Sequence, residues 1–208
     1  MFITLEGPEG SGKSMQMGQL AKYIRNQGFQ VLTTREPGGT FIGDQIRNVI
    51  MRMDNTMMNP RTEILLFCAA RAQIVSEVIR PNLKNGNVVI SDRYADSTMA
   101  YQGYGHGLDL VDLKKILEFT TGGLKPDLTL LLDVDVEEGL KRRKVGGGEW
   151  NRLDAQQLEF HKRVRLGYLE IVKSEPSRWR IIDASQSPQS VQTEMQKAVF
   201  EKFKGSAQ

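Results

Sequence analysis

The chain has 208 residues, 28 Lys and Arg against 25 Asp and Glu, and a net charge of +3, with a quarter of its residues charged. That length fits one domain, 1–208, large enough to bury a core, and the charge suits small polyanionic substrates while lacking the long basic stripe of a nucleic-acid binder. The single cysteine, Cys68, excludes an internal disulfide. No apolar run nears the roughly 20 residues that cross a bilayer, and the chain enters a strand without a leader pattern, so a cytoplasmic protein is expected.

Phe2-Ile3-Thr4-Leu5 reads as a strand and residues 14–27 as a helix. Between them stands Gly7-Pro8-Glu9-Gly10-Ser11-Gly12-Lys13-Ser14, the pattern G-x-x-x-x-G-K-[ST] in the strand–loop–helix context it requires. Its glycines let successive backbone N–H groups turn inward around an anion. The new helix adds unpaired N-terminal donors and the positive end of its dipole. Lys13 can reach the outer phosphates, and the Ser14 hydroxyl is placed to ligate a phosphate-bound Mg²⁺. The loop implies a nucleoside triphosphate as ligand; what receives the phosphate is decided elsewhere in the chain.

Apolar runs alternate with helical patterns thereafter, as in a parallel α/β sheet. Val31-Leu32-Thr33-Thr34 is a second strand that ends at Arg35-Glu36-Pro37-Gly38-Gly39, which places Arg35 and Glu36 at a strand's carboxyl end. Residues 42–53 are expected to be helical, followed by a polar, Met-rich connector over 54–59. Pro60 then starts the longest helix, expected to stop before Pro81. Phe67, Ile74 and Val78 form one apolar stripe on it, and Ile64, Cys68, Val75 and Ile79 another. A helix apolar on two faces is buried on both, against its own sheet and against a second subunit. Periodicity alone makes Phe67 a core residue and Arg71, four positions on, a snorkelling cation.

Val88-Val89-Ile90 reads as a central strand covered on both faces, delivering Ser91-Asp92-Arg93-Tyr94 to its carboxyl edge. Ligands of open α/β sheets bind at such edges, which marks Asp92 and Arg93. The glycines and aromatics of residues 96–105 suit a pocket wall and a loop. Residues 128–134 form a fourth strand, 180–184 a fifth, and 191–204 a terminal helix. Lys141-Arg142-Arg143-Lys144 followed by Gly146-Gly147-Gly148 reads as a lid, over about 141–152, that closes cations on reacting phosphates.

The ordered motif set is specific. The phosphate loop with its internal Glu9, Arg35-Glu36-Pro37-Gly38-Gly39, Phe67-Cys68-Ala69-Ala70-Arg71 and Asp92-Arg93-Tyr94 with Ser97 come first. Ala100-Tyr101-Gln102-Gly103, Lys125-Pro126-Asp127-Leu128 and Asp183-Ala184-Ser185 follow. Together they resemble a bacterial thymidylate kinase over nearly the full length. The resemblance implies a three-layer α/β P-loop NTPase fold, with a five-stranded parallel sheet flanked by helices, and a homodimer. It also implies phosphoryl transfer from ATP to dTMP with Mg²⁺, without nucleic acid or membrane partners.

Carried over by the resemblance, Gly7 to Ser14 bind ATP, Lys13 and Ser14 hold the donor phosphates and metal, and Asp92 shares the metal. Arg93 grips the acceptor phosphate, with Arg35 and Ser97 in the same substrate site. Glu9 lies near the sugar 3′-hydroxyl, Phe67 stacks on thymine, and Arg71 donates to its O4. Gln102 meets the base edge, Tyr101 crowds the 2′ position, and Arg142 lies against adenine. Gly10 stands where some members carry an arginine, so the catalytic cation is expected from the lid. The lid spacing departs from the bacterial Arg-x-Arg arrangement, which leaves Arg143, Lys144 and Arg152 as candidates.

A GTP-driven switch or nucleic-acid motor would use the same loop, but no Asn-Lys-x-Asp run is present.

Overall fold

The computed structural model describes residues 1–146 and 150–206. Its centre is a parallel five-stranded sheet in the order β2-β3-β1-β4-β5. The strands are β1 (Phe2–Glu6), β2 (Val31–Arg35), β3 (Val88–Asp92), β4 (Leu128–Asp133) and β5 (Trp179–Asp183). All five residues of β1 are buried between β3 and β4, the apolar Phe2, Ile3 and Leu5 together with the polar Thr4 and Glu6. The chain passes from β1 outward to β2, then returns across β1 from β3 to β4. That reversal opens a crevice at the carboxyl ends of β1 and β3, where open α/β sheets hold ligands.

Helices cover both faces. On one, α1 (Lys13–Asn26) and α9 (Pro188–Ser206) pack Leu20, Ile24, Met195 and Val199 onto Ile3, Leu5, Ile90 and Leu130. On the other, α3 (Pro60–Ile74), α6 (Leu110–Thr121) and α8 (Leu158–Ser174) gather around Leu131 and Trp179. Alternate side chains of β1 explain the division: Ile3 and Leu5 face the first layer, while Phe2 joins Ile74, Ile79 and Tyr94 in the second. The shorter helices are α2 (Phe41–Met51), α4 (Arg80–Lys84), α5 (Ala95–Thr98) and α7 (Val136–Val145). Residues 96–105, expected to include a loop, are helical instead, with α5 running on into a π-helical segment over Met99–Gly105. None of the helices among the described residues is long and apolar enough to cross a membrane.

Pro60 does start a helix, capped by the Asn59 side chain, which accepts from the Arg61 N–H. Pro81 does not stop it. Residues Val75–Ile79 widen into a π-helical turn, the Arg80 N–H donates to the Val75 carbonyl, and the helix resumes as α4. Pro81 has no N–H to place in the ladder, and a widened turn before the first turn of α4 accommodates it. The run therefore ends at Lys84, not Arg80. Both apolar stripes of α3 are covered within the chain: Ile64 and Cys68 join the α6–α8 cluster, and Phe67 packs with Ile50 and Leu153. Their burial needs no second subunit.

Candidate active site

Four strand ends converge on one cleft of about 760 Å³. Its floor is the loop between β1 and α1. Gly10 has φ +69°, and a Cβ there would overlap the Gly139 carbonyl of α7, so the loop and α7 meet backbone to backbone. This approach is the local reason that position 10 holds no arginine. Lys13 curls over the loop, donating from Nζ to the carbonyls of Gly7 and Pro8 and to Ser11 Oγ at 2.9–3.1 Å. Burial, and then the charge of Arg93, lower the Lys13 ammonium to about 8. Ser14 Oγ donates to Asp92 Oδ2 at 2.6 Å, joining the first turn of α1 to the end of β3.

Arg93 is the hub. Its backbone takes φ +72°, a left-handed value that a residue with a Cβ rarely adopts, just where the chain leaves β3. From that position Nη1 donates to the Gly7 carbonyl, Ser97 Oγ and Tyr168 Oη, at 3.0–3.2 Å. Nη2 donates to Glu9 Oε1 and Tyr101 Oη, both at 2.9 Å. Burial works against ionisation of Glu9, but Arg93 and Lys13 outweigh it and hold the carboxyl at about 2. Behind Arg93 lies the fully buried Glu6, accepting from the Tyr94 N–H at 2.8 Å, Ser97 Oγ at 2.6 Å and Tyr168 Oη at 2.9 Å. Burial, reinforced by Asp96, raises Glu6 to about 7.

The far wall comes from α3. Phe67 is 8% exposed and lines the cleft at its edge. Arg71 does not snorkel: it is 1% exposed, with Nε donating to Glu36 Oε2 at 2.7 Å, Nη1 to Thr98 Oγ1 and Nη2 to the Tyr94 carbonyl. Helical spacing could not reveal Glu36, which arrives from just after β2. Three of the five Arg71 N–H groups are thereby used, leaving donors for a ligand in the cleft that Arg71 also lines. Glu36, Arg71 and the cleft-lining Arg35 come from the two motifs flagged at 35–39 and 67–71.

Arg142 and Arg143 of α7 close the other side. Arg142 Nη1 donates to the Ala184 carbonyl at 2.7 Å, and Arg143 is paired with Asp154 at 2.8 Å. Arg152 is not brought to the cleft. It is buried, donating from Nε to the Ile50 carbonyl at 3.0 Å and from Nη2 to Glu63 Oε2. Gly147 and Gly148 of the lid stretch lie outside the described residues.

The sequence model of the thymidylate kinase family matches residues 5–195. The chain belongs to the thymidylate kinase family. A thymidylate kinase of Roseiflexus sp. strain RS-1 is 52% identical over 198 residues, covering 90% of this chain and 88% of its own. One from Herpetosiphon aurantiacus is 46% identical, covering 96% and 94%. Among solved structures, the thymidylate kinase of Ehrlichia chaffeensis superposes with a TM-score of 0.77 at 33% identity, covering 96% of this chain and 98% of that one.

Within this family fold the cleft gathers the phosphate loop with Arg35, Phe67, Arg71, Asp92 and Arg93, and with Ser97, Tyr101, Gln102, Arg142 and Arg143. Three residues that hold these in place went unread, Glu6, Glu63 and Tyr168, and Glu36 was placed at its strand end without a partner. Glu6 and Glu36 carried the signal that marked Asp92, a charge at the end of a strand. Tyr168 carried one too, since Phe160, Val164, Tyr168 and Ile171 recur at helical spacing along α8.

Proposed function

We propose that this member of the thymidylate kinase family transfers the γ-phosphoryl group of ATP to dTMP in the cleft between α1, α3 and α7, giving dTDP and ADP. The observation that carries the reading is the position of Arg93. Its guanidinium contacts the phosphate loop through Gly7 and Glu9 on one side and shares the cleft with Phe67 and Arg71 on the other. A donor triphosphate in the loop and a monophosphate whose base lies at Phe67 would meet at that cation.

An acceptor phosphate is already anionic, so no strong base is needed, and catalysis is alignment with cations where charge spreads. Lys13 and Arg143 would hold the donor side, and Arg93, Arg35 and Ser97 the acceptor phosphate. Arg142 would lie against adenine, within a lid over 141–152. Glu9 and Tyr101, joined at 2.7 Å, would meet the sugar. The free donors of Arg71 favour a base with an oxygen at position 4. The neighbouring oxygens of Ser14 and Asp92 fit Mg²⁺, which takes few protein ligands beside its phosphates. When bound there it supplies charge neutralisation at those phosphates. A homodimer is the further expectation from the resemblance, and a cytoplasmic location the one from the sequence.

ADP release measured over dTMP, dUMP, dCMP, AMP, GMP and thymidine tests the reading. dTMP should lead; dUMP should follow by the 10–200-fold that a methyl in an apolar pocket is worth, about 1–3 kcal/mol. A purine monophosphate or free thymidine outranking dTMP would refute it.

A further inference from the structure

Glu63, Phe67 and Arg71 stand at four-residue steps on α3, so one helix face presents all three toward the same end of the cleft. Phe67 and Arg71 line it directly. Glu63 does not; it acts on Gln102, which does. Gln102 Nε2 donates to Glu63 Oε1 at 2.7 Å, and both side chains are almost completely buried.

Glu63 is itself fixed. Arg152 donates to its Oε2, and His106 Nε2 lies 3.3 Å from its Oε1. Burial opposes its ionisation, yet the approach of His106, the bond from Gln102 and the charge of Arg152 outweigh it and hold the carboxyl at about 2. An ionised carboxylate only accepts hydrogen bonds. The Gln102 side facing it must therefore be the amide NH₂, which leaves the amide oxygen as the group offered to a ligand. The assignment of oxygen and nitrogen, open for an isolated glutamine, is here dictated by charge.

We infer that Glu63 is a positioning residue that sets pyrimidine choice, by locking the Gln102 amide with its oxygen toward the cleft. The inference rests on the nucleotide-kinase reading above and names how that site selects its base. Thymine and uracil present an acceptor at O4 and a donor at N3, against the Arg71 donors and the Gln102 acceptor. Cytosine reverses both, with an amino donor at position 4 and an acceptor at N3. A glutamine free to turn over would offer its NH₂ to that N3 and remove half of the discrimination.

The test compares kcat/KM for dTMP and dCMP in the wild type, Glu63→Gln, Gln102→Met and the double variant, each checked by thermal melting. Glutamine at 63 can donate as well as accept, so it unlocks Gln102 at nearly constant shape. The dTMP:dCMP ratio should fall about tenfold or more in E63Q, mainly through KM, and comparably in Q102M. In the Q102M background E63Q should alter the ratio by about twofold or less, because the two residues act as one unit. An unchanged ratio in E63Q, or effects that multiply in the double variant, would overturn the inference. Should E63Q not fold, Q102M decides, and a wild-type ratio there overturns it. Absence of any dTMP preference in the wild type would instead strike the functional reading beneath it.

Discussion

Arg93 Nη2 donates to Glu9 Oε1 at 2.9 Å, binding the end of β3 to the middle of the phosphate loop. The two residues are 84 positions apart in sequence, and the sheet order makes them neighbours because β3 pairs directly with β1. Truncating Arg93 to Ala should lower kcat by about a hundredfold or more, as loss of a positioned cation at a transferring phosphoryl group does. Single-turnover kinetics with dTMP check it. Unchanged turnover would remove Arg93 from the reaction.

The two lid arginines should separate by kcat. Arg143 lines the cleft, while Arg152 is buried against Glu63. R143A should lower kcat by about tenfold or more, the cost of a missing cation, with a loss of stability beside it because its partner Asp154 is buried. R152A should act on stability, by about 3–5 kcal/mol, because it leaves the buried Glu63 charge short of its partner. Urea midpoints beside kcat for both variants distinguish the roles, and the reverse pattern would assign the cation to Arg152.

Glu36 and Arg71 form a pair with side chains 2% and 1% exposed. Burial pushes the Glu36 carboxyl upward and the Arg71 charge opposes it. Replacing Glu36 by Ala strands a buried guanidinium and should cost about 3–5 kcal/mol of folding stability. The KM for dTMP should rise as well, since Arg71 loses the contact that orients it. Equilibrium unfolding and dTMP titration of E36A give both numbers; a stable variant of normal KM would make the pair dispensable.

Glu6 gives a pH signature. Its folded pKa of about 7 lies above the usual 4.5, so the native state holds a proton that the unfolded chain has released between those values. The resulting stability is present in full below pH 4.5 and is lost as pH rises through 7, by about 3 kcal/mol at most. The stability of Glu6→Gln relative to wild type should therefore increase from pH 4.5 to 7. Urea unfolding at half-unit pH steps measures the difference. A constant difference, or one of opposite slope, would mean that Glu6 is ionised throughout that range.

Much of this was legible before any coordinates. Continuous apolar runs marked β1, β3 and β4 because strands buried on both faces have no polar side to show. The loop at 7–14 and the charges of Asp92 and Arg93 announced themselves by spacing and by position at a strand end. What stayed hidden was what arrives from elsewhere. Nothing near Arg71 in sequence reveals that Glu36, just past the end of β2, meets it, and nothing in the basic run 141–144 reveals that Arg152 turns away to Glu63. Pro81 misled for a local reason, since a π turn lets the ladder skip the missing N–H.

The central claim is that two nucleotides share one cleft with the Arg93 guanidinium between their phosphates. A crystal structure with dTMP bound tests it most directly. The account predicts the thymine ring against Phe67, its O4 within hydrogen-bond reach of Arg71, and its phosphate on Arg93. Ordered dTMP at any other place, with that end of the cleft filled only by solvent, would contradict it.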